Sequence, residues 1–137
     1  MKDLKNTFGE AWDFLFHPPV AHRGLWSPDG APENSLGAFQ AACQAGYGVE
    51  LDVHLSADGE AMVFHDHSLK RMTGVEGKLR DRTAADLGEL RLKGTDERIP
   101  TLMETLALIG HRAMVIVELK TDFGAVGPLE QRVHEIL

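Results

Sequence analysis

The strongest constraint on the fold is a strict alternation of apolar and polar residues over positions 49–55. The odd positions are aliphatic, whereas the even positions hold Glu50, Asp52 and His54. Successive side chains of a β-strand point to opposite faces, so the alternation predicts a strand with one buried face and one polar face.

Two carboxylates share that polar face. Glu50 and Asp52 stand two residues apart on it, and their mutual repulsion is costly unless a cation lies between them. Oxygen ligands of this kind suit Mg²⁺ or Ca²⁺, and Glu118 at the end of another strand would supply a third carboxylate. A solvated strand face is the alternative for Glu50 and Asp52 alone. Glu118 and Lys120 at the end of a predicted buried strand favour a binding role.

Two histidines occupy similar positions, each directly after a short apolar run. His22 is followed by Arg23 and His65 by Asp66. A pair of histidines at strand ends is suited to general acid and base catalysis near neutral pH. For either histidine alone, a hydrogen-bonded structural role is the simpler interpretation, and His54 stays ambiguous.

Three further residues are candidates for substrate contacts. Arg23 and Lys120 are suited to an anionic group, and surface ion pairs are the alternative. Trp26, in the loop after His22, is a candidate for an apolar part of a substrate, although aromatic residues usually pack in the core.

The other predicted elements come from periodicity, caps and turn residues. They are a leading helix over residues 2–16, a strand near Val20, a helix capped by Asn34 or Ser35 and ending at Gly46, a strand over 61–64, a helix capped by Thr101 and Glu104, a strand over 114–119 that is buried on both faces, and a final helix from Pro128. The link over residues 56–60 is too short for a crossover helix, so local rules predict an antiparallel hairpin there.

Composition narrows the class of protein. The 137 residues correspond to about one domain, and 21 acidic against 14 basic residues give a net charge of −7, which disfavours nucleic acid as a partner. No apolar run is long enough to cross a bilayer, and Met1 leads into no secretion signal. The single cysteine, Cys43, agrees with a reducing compartment, so we expect a cytoplasmic protein.

Several segments, taken in order, resemble the glycerophosphodiester phosphodiesterase family. They cover roughly residues 19 to 120 and read Ala21-His22-Arg23-Gly24, Pro32-Glu33-Asn34-Ser35-Leu36-Gly37-Ala38-Phe39, Glu50-Leu51-Asp52-Val53, Asp58-Gly59, Val63-Phe64-His65-Asp66, Ile99-Pro100-Thr101-Leu102 and Glu118-Leu119-Lys120. The resemblance implies an α/β fold of the (β/α)₈ barrel type, one divalent ion, Mg²⁺ or Ca²⁺, and glycerophosphodiesters as small-molecule substrates.

The resemblance also implies a role for each matching residue. The metal ligands would be Glu50, Asp52 and Glu118, and the acid and base would be His22 and His65. Arg23 and Lys120 would bind the phosphate, and Glu33 would be a site-lining acid. We add Trp26 as a second lining residue and interpret Asn34 as a helix cap. The family further implies that the second and third strands run parallel despite their short link, and that residues 67–100 form a small insertion.

The length predicts only part of a barrel. A (β/α)₈ barrel typically needs about 250 residues, so residues 1–137 would form a single partial domain with four strands and open edges that favour self-association. The final helix has no C-cap, which indicates that the chain stops within an element.

The alternative function is a truncated, inactive fragment that only binds metal or anionic headgroups or associates. A metal-dependent phospholipase of the phosphoinositide or sphingomyelinase D type is a neighbouring enzyme class.

Overall fold

A four-stranded sheet forms the centre of the chain in a computed structural model that describes residues 18–121 and 127–137. The strands are β1 (Val20–His22), β2 (Gly48–Leu55), β3 (Ala61–Val63) and β4 (Val115–Leu119). The helices are α1 (Leu36–Gln44), α2 (Lys70–Thr73), α3 (Ala84–Gly88), α4 (Leu102–Ile109) and α5 (Pro128–Ile136), with a 3₁₀ turn over Leu79–Asp81. The predicted leading helix over residues 2–16 lies outside the described residues.

The helix ends follow the predicted capping chemistry. The Ser35 hydroxyl accepts a hydrogen bond from the Ala38 N–H and begins α1. Thr101 and Glu104 form the reciprocal capping box of α4. Pro128 occupies the first turn of α5, where its missing N–H costs nothing. None of the described helices combines the length and apolarity needed to cross a bilayer.

Strand β2 is the central strand of the sheet, and β1 and β4 both pair with it in parallel. Strand β3 pairs with β2 antiparallel, with Val53 opposite Val63. The parallel arrangement of the second and third strands that the resemblance implied is therefore wrong, and the local rule was right. The turn over residues 56–60, closed by the Ser56 N–H to the Glu60 carbonyl at 2.9 Å, reverses the chain at once.

The buried face of β2 carries the main core. Val49, Leu51 and Val53 are fully buried and pack with apolar residues of α1, α4 and α5, as the alternation predicted. A second cluster lies against β3 and is formed largely by the segment 67–100, with Leu69, Met72, Leu79, Leu87 and Leu92 among its members. That this segment is an insertion into the domain stays a prediction.

Strand β4 corrects one expectation. It was predicted to be buried on both faces, yet Ile116 is 44% and Leu119 37% exposed. Within residues 18–121 and 127–137, β4 is hydrogen-bonded to no strand other than β2, so one of its edges has no strand beside it.

Candidate active site

The register of the parallel strands brings the predicted metal ligands together. Glu118 of β4 lies directly opposite Asp52, and His22 of β1 lies directly opposite Glu50. Because opposed residues in a sheet share a face, the three carboxylates converge on one side, which we call the carboxylate face. One oxygen from each of Glu50, Asp52 and Glu118 lies within 4.8 Å of the other two.

The carboxylate oxygens are only partly satisfied. Asp52 is fully buried, and among the described residues the buried atom Glu50 Oε1 has no hydrogen-bond partner. Burial, together with the negative charges of Asp52 and Glu118, raises the pKa of Glu50, although the Arg23 N–H bound to its other oxygen opposes this. A buried carboxylate oxygen without a hydrogen-bond partner is costly, and Glu50 and Asp52 also repel each other, so this face favours a cation.

Lys120 lies between two of the carboxylates. Its Nζ is 3.2 Å from Asp52 Oδ1 and also contacts Glu118 Oε1. Burial disfavours the ammonium, but the attraction of Glu118 and Asp52 outweighs it and raises the pKa of Lys120. Lys120 is therefore a fixed positive charge at the edge of the carboxylate face.

Arg23 reaches the site from a strained backbone. Its φ of 60° lies in the left-handed region, and its N–H donates to Glu50 Oε2 at 3.1 Å. The guanidinium lies 3.4 Å from Asp52 and donates to Glu33 Oε1 at 3.2 Å. Gly24 follows with a φ of 82°, and a Cβ there would lie 2.8 Å from the Cβ of Ala38, so only glycine fits this turn.

Asn34 has a different role from the one predicted. Its side chain does not cap α1; Ser35 does. Instead Nδ2 of Asn34 donates to Asp52 Oδ2 at 2.9 Å from a residue whose φ is 54°. The positive φ, which asparagine tolerates better than most residues, turns the side chain away from the helix and towards the buried carboxylate.

The two histidines differ in exposure and partners. His22 has a side chain 67% exposed, with Nε2 3.8 Å from Glu50 Oε2. His65 follows β3, and its Nδ1 lies 2.7 Å from Asp66 Oδ1. The carbonyl of His65 is bound by Nε2 of the buried His54 at 2.8 Å, which gives that ambiguous histidine a structural contact beside the site.

Arg71 joins this network, and no sequence signal singled it out. Its guanidinium donates to Glu33 on one side and to Asp66 on the other. Although burial opposes ionisation of Glu33, Arg71 and Arg23 outweigh it, so the pKa of Glu33 lies below its ordinary value. Arg71, assisted by His65, holds the pKa of Asp66 well below its usual range.

Trp26 lines a cavity of about 490 Å³ whose wall also includes Pro32, Glu33, Arg71 and Met72. None of the three clustered carboxylates lines this cavity, but Glu33 in its wall binds Arg23, whose N–H binds Glu50 of the carboxylate face.

The residues of the carboxylate face fit a hard divalent cation. Mg²⁺ and Ca²⁺ bind oxygen ligands at about 2.0–2.6 Å, so two ligands of one ion stand up to about 5 Å apart. The three carboxylate oxygens lie within 4.8 Å of one another, which agrees with that value, and Glu50 has a buried oxygen without a hydrogen-bond partner in the described parts of the chain.

Known proteins are similar to this chain in sequence. A curated enzyme from Caldanaerobacter subterraneus, named glycerophosphodiester phosphodiesterase, is 36% identical over 82% of this chain and 49% of its own length. Human glycerophosphodiester phosphodiesterase 1 is 37% identical over 74% of this chain and 33% of its own length. The chain thus spans half or less of these two relatives.

Solved structures of phosphodiesterases are similar to this chain in fold. A phosphodiesterase from Oleispira antarctica, determined in complex with the product sn-glycerol-3-phosphate, superposes with a TM-score of 0.80 at 35% identity, over 90% of this chain and 53% of that one. A Thermotoga maritima glycerophosphodiester phosphodiesterase gives 0.73 at 39% identity, over 88% and 49%. The described sheet and helices correspond to about half of a (β/α)₈ barrel. The family model for glycerophosphoryl diester phosphodiesterases matches residues 22–133, and the chain belongs to that family.

Proposed function

We propose that the protein acts as a metal-dependent phosphodiesterase that hydrolyses glycerophosphodiesters to glycerol phosphate and an alcohol. The observation that carries the proposal is the convergence of Glu50, Asp52 and Glu118 beside His22 on the carboxylate face. The membership of the family and the names of the relatives support the same reaction.

Glu50, Asp52 and Glu118 would hold one Mg²⁺ or Ca²⁺ ion. When bound, such an ion supplies positive charge that neutralises the phosphodiester and its transition state. Arg23 and Lys120 are the residues proposed to bind the remaining phosphate oxygens. Both now pair with carboxylates of the face, and an anion would compete for the same guanidinium and ammonium groups.

His22 and His65 would serve as the acid and base. In the first step, one histidine removes the proton from a glycerol hydroxyl, which attacks phosphorus and forms a cyclic phosphate, while the other protonates the leaving alcohol oxygen. In the second step, water opens the ring and the two histidines exchange roles. Either histidine is compatible with the role of base in the first step.

Trp26 and Glu33 are proposed to line the space for the alcohol part of the substrate. The cavity that they line has a mainly apolar wall and is linked to the carboxylate face through the Glu33–Arg23 contact, as expected for a leaving group that lies away from the metal. A small molecule, rather than nucleic acid, is the proposed partner because the chain is acidic. We also propose that the protein works in the cytoplasm.

The experiment is to measure release of glycerol phosphate from glycerophosphocholine by the 137-residue chain, with Mg²⁺, with Ca²⁺ and with a chelator. His22→Ala and Glu50→Gln test the site, and His111→Ala and Glu89→Gln are matched controls at exposed positions outside it. Activity that requires the metal, His22 and Glu50 but neither control residue supports the proposal.

A folded chain with no activity under all three conditions contradicts the proposal for this chain. It favours the alternative of a module that only binds metal or anionic headgroups or that associates. Competition by phosphoinositides or sphingomyelin would instead indicate the neighbouring phospholipase classes.

A further inference from the structure

We propose that Arg71 is a positioning residue that determines which ring nitrogen of His65 carries the proton. It holds Asp66 so that this carboxylate accepts a hydrogen bond from His65 Nδ1, which leaves Nε2 for proton exchange with a substrate. The inference deepens the proposed function, because it gives the acid–base role of His65 a structural cause.

The guanidinium of Arg71 binds two carboxylates through both of its edges. Nε donates to Asp66 Oδ2 at 2.7 Å and Nη2 to Asp66 Oδ1 at 2.9 Å. On the Glu33 side, Nη2 donates to Oε1 at 2.6 Å and Nη1 to Oε2 at 3.1 Å. Paired, parallel hydrogen bonds of this kind fix the plane of a carboxylate as well as its distance.

The fixed plane of Asp66 is what orients His65. Because both oxygens of Asp66 are bound by Arg71, the side chain cannot rotate without breaking two charge-assisted hydrogen bonds. Oδ1 is thereby aimed at His65 Nδ1, 2.7 Å away. An ionised carboxylate only accepts hydrogen bonds, so Nδ1 must be the protonated nitrogen.

Glu33 anchors the other side of Arg71. Its carboxylate is only 6% exposed and accepts a third hydrogen bond from Arg23. Arg23 in turn donates its N–H to Glu50 on the carboxylate face. A continuous set of contacts therefore links His65 to Glu50 through Asp66, Arg71, Glu33 and Arg23.

The test observes the ring nitrogens of His65 directly by ¹⁵N NMR on the 137-residue chain. Spectra are recorded at a pH of about 9, well above the ordinary histidine pKa of about 6.5, so that the neutral ring is measured. The variants are Arg71→Met, Arg71→Lys and Asp66→Ala. Arg91→Met is the matched control, because Arg91 forms a comparable ion pair with Asp96 at the surface.

In the unmodified chain we expect one ring nitrogen of His65 at a protonated shift, assigned to Nδ1, and the other at an unprotonated shift. Arg71→Met should bring the two shifts towards each other as the Nε2–H form becomes populated, and Asp66→Ala should do so at least as much. Arg71→Lys, which keeps the charge but not the paired hydrogen bonds, should give His65 shifts between those of the unmodified chain and those of Arg71→Met. Arg91→Met should leave the His65 shifts unchanged.

Unchanged His65 shifts in Arg71→Met would overturn the proposal. If that variant does not fold, Arg71→Lys decides, because a shift identical to the unmodified chain would equally contradict a role for the paired hydrogen bonds. This measurement needs neither metal nor substrate. If Arg71→Met changes the tautomer of His65 but the unmodified chain has no phosphodiesterase activity, the missing activity refutes the proposed function. The assignment of the His65 tautomer to Arg71 then still stands.

Discussion

Asn34 and Asp52 are joined by a hydrogen bond of 2.9 Å that connects the loop after β1 to the centre of the carboxylate face. Asp52 is fully buried, and among the described residues Asn34, Arg23 and Lys120 reach its carboxylate. Asn34 also needs its left-handed backbone to make this contact.

Two substitutions of Asn34 separate the contribution of its side-chain hydrogen bond to Asp52 from that of its left-handed backbone. Asn34→Gly keeps the backbone conformation but removes the amide, and it should lower the free energy of unfolding by about 1–3 kcal/mol because a buried carboxylate loses a donor. Asn34→Ala should cost about 1 kcal/mol more, since alanine is strained at positive φ. Urea denaturation of both variants measures this, and stability of Asn34→Gly equal to that of the unmodified chain would contradict it.

Lys120 should oppose the binding of a divalent ion. Its ammonium lies against Asp52 and Glu118, so Lys120→Met removes a positive charge beside the metal ligands. We expect the affinity for Ca²⁺ or Mg²⁺ to rise about tenfold, or about 1.4 kcal/mol. Calorimetric titration measures the change, with the exposed Lys78→Met as the control. Weaker metal binding in Lys120→Met would show that Lys120 supports the ligands instead.

The ion pairs of Arg71 should make the chain sensitive to acid. The pKa values of Glu33 and Asp66 are lowered in the folded state, so the unfolded chain binds more protons at acidic pH and stability falls as the pH decreases. The loss should begin near the ordinary carboxyl values of about 4 and continue below them. Urea midpoints between pH 7 and 3 should fall less steeply in Arg71→Met, and parallel profiles would contradict this role.

The open edge of β4 should make the chain associate. Ile116 is 44% exposed on the carboxylate face, beside an edge that pairs with no other strand in the described parts of the chain. Sedimentation should show concentration-dependent association that Ile116→Ser weakens. Met103→Ser on α4, where the side chain is also exposed, should not weaken it. A monomer at all concentrations would contradict this prediction.

Local patterns predicted much of the fold. The alternation in β2 correctly separated the core residues Val49, Leu51 and Val53 from the polar face, and the capping box of Thr101 and Glu104 marked the start of α4. The direction of β3 also followed from the short turn before it, whereas the analogy with a regular parallel barrel was misleading. The exposure of β4 depends on which elements cover it, and this cannot be predicted from the sequence of β4 alone.

The candidate site was predicted less completely. Strand periodicity placed Glu50 and Asp52 together, and only the sheet register shows that Glu118 lies opposite Asp52. Arg71 is 38 residues from Glu33, and one arginine in a polar segment resembles any other until the chain is folded. Asn34 was misinterpreted because asparagine is a good helix cap, and its positive φ is visible only in the structure.

The binding of a divalent ion by the 137-residue chain tests the central claim most directly. Titration calorimetry with Mg²⁺ and with Ca²⁺ should give one ion per chain for at least one metal. Glu118→Gln, at an exposed position where folding is not at risk, should abolish binding, and the exposed Glu89→Gln should leave it intact. No binding of either ion by the folded chain, or binding that survives Glu118→Gln, would contradict a metal centre on the carboxylate face.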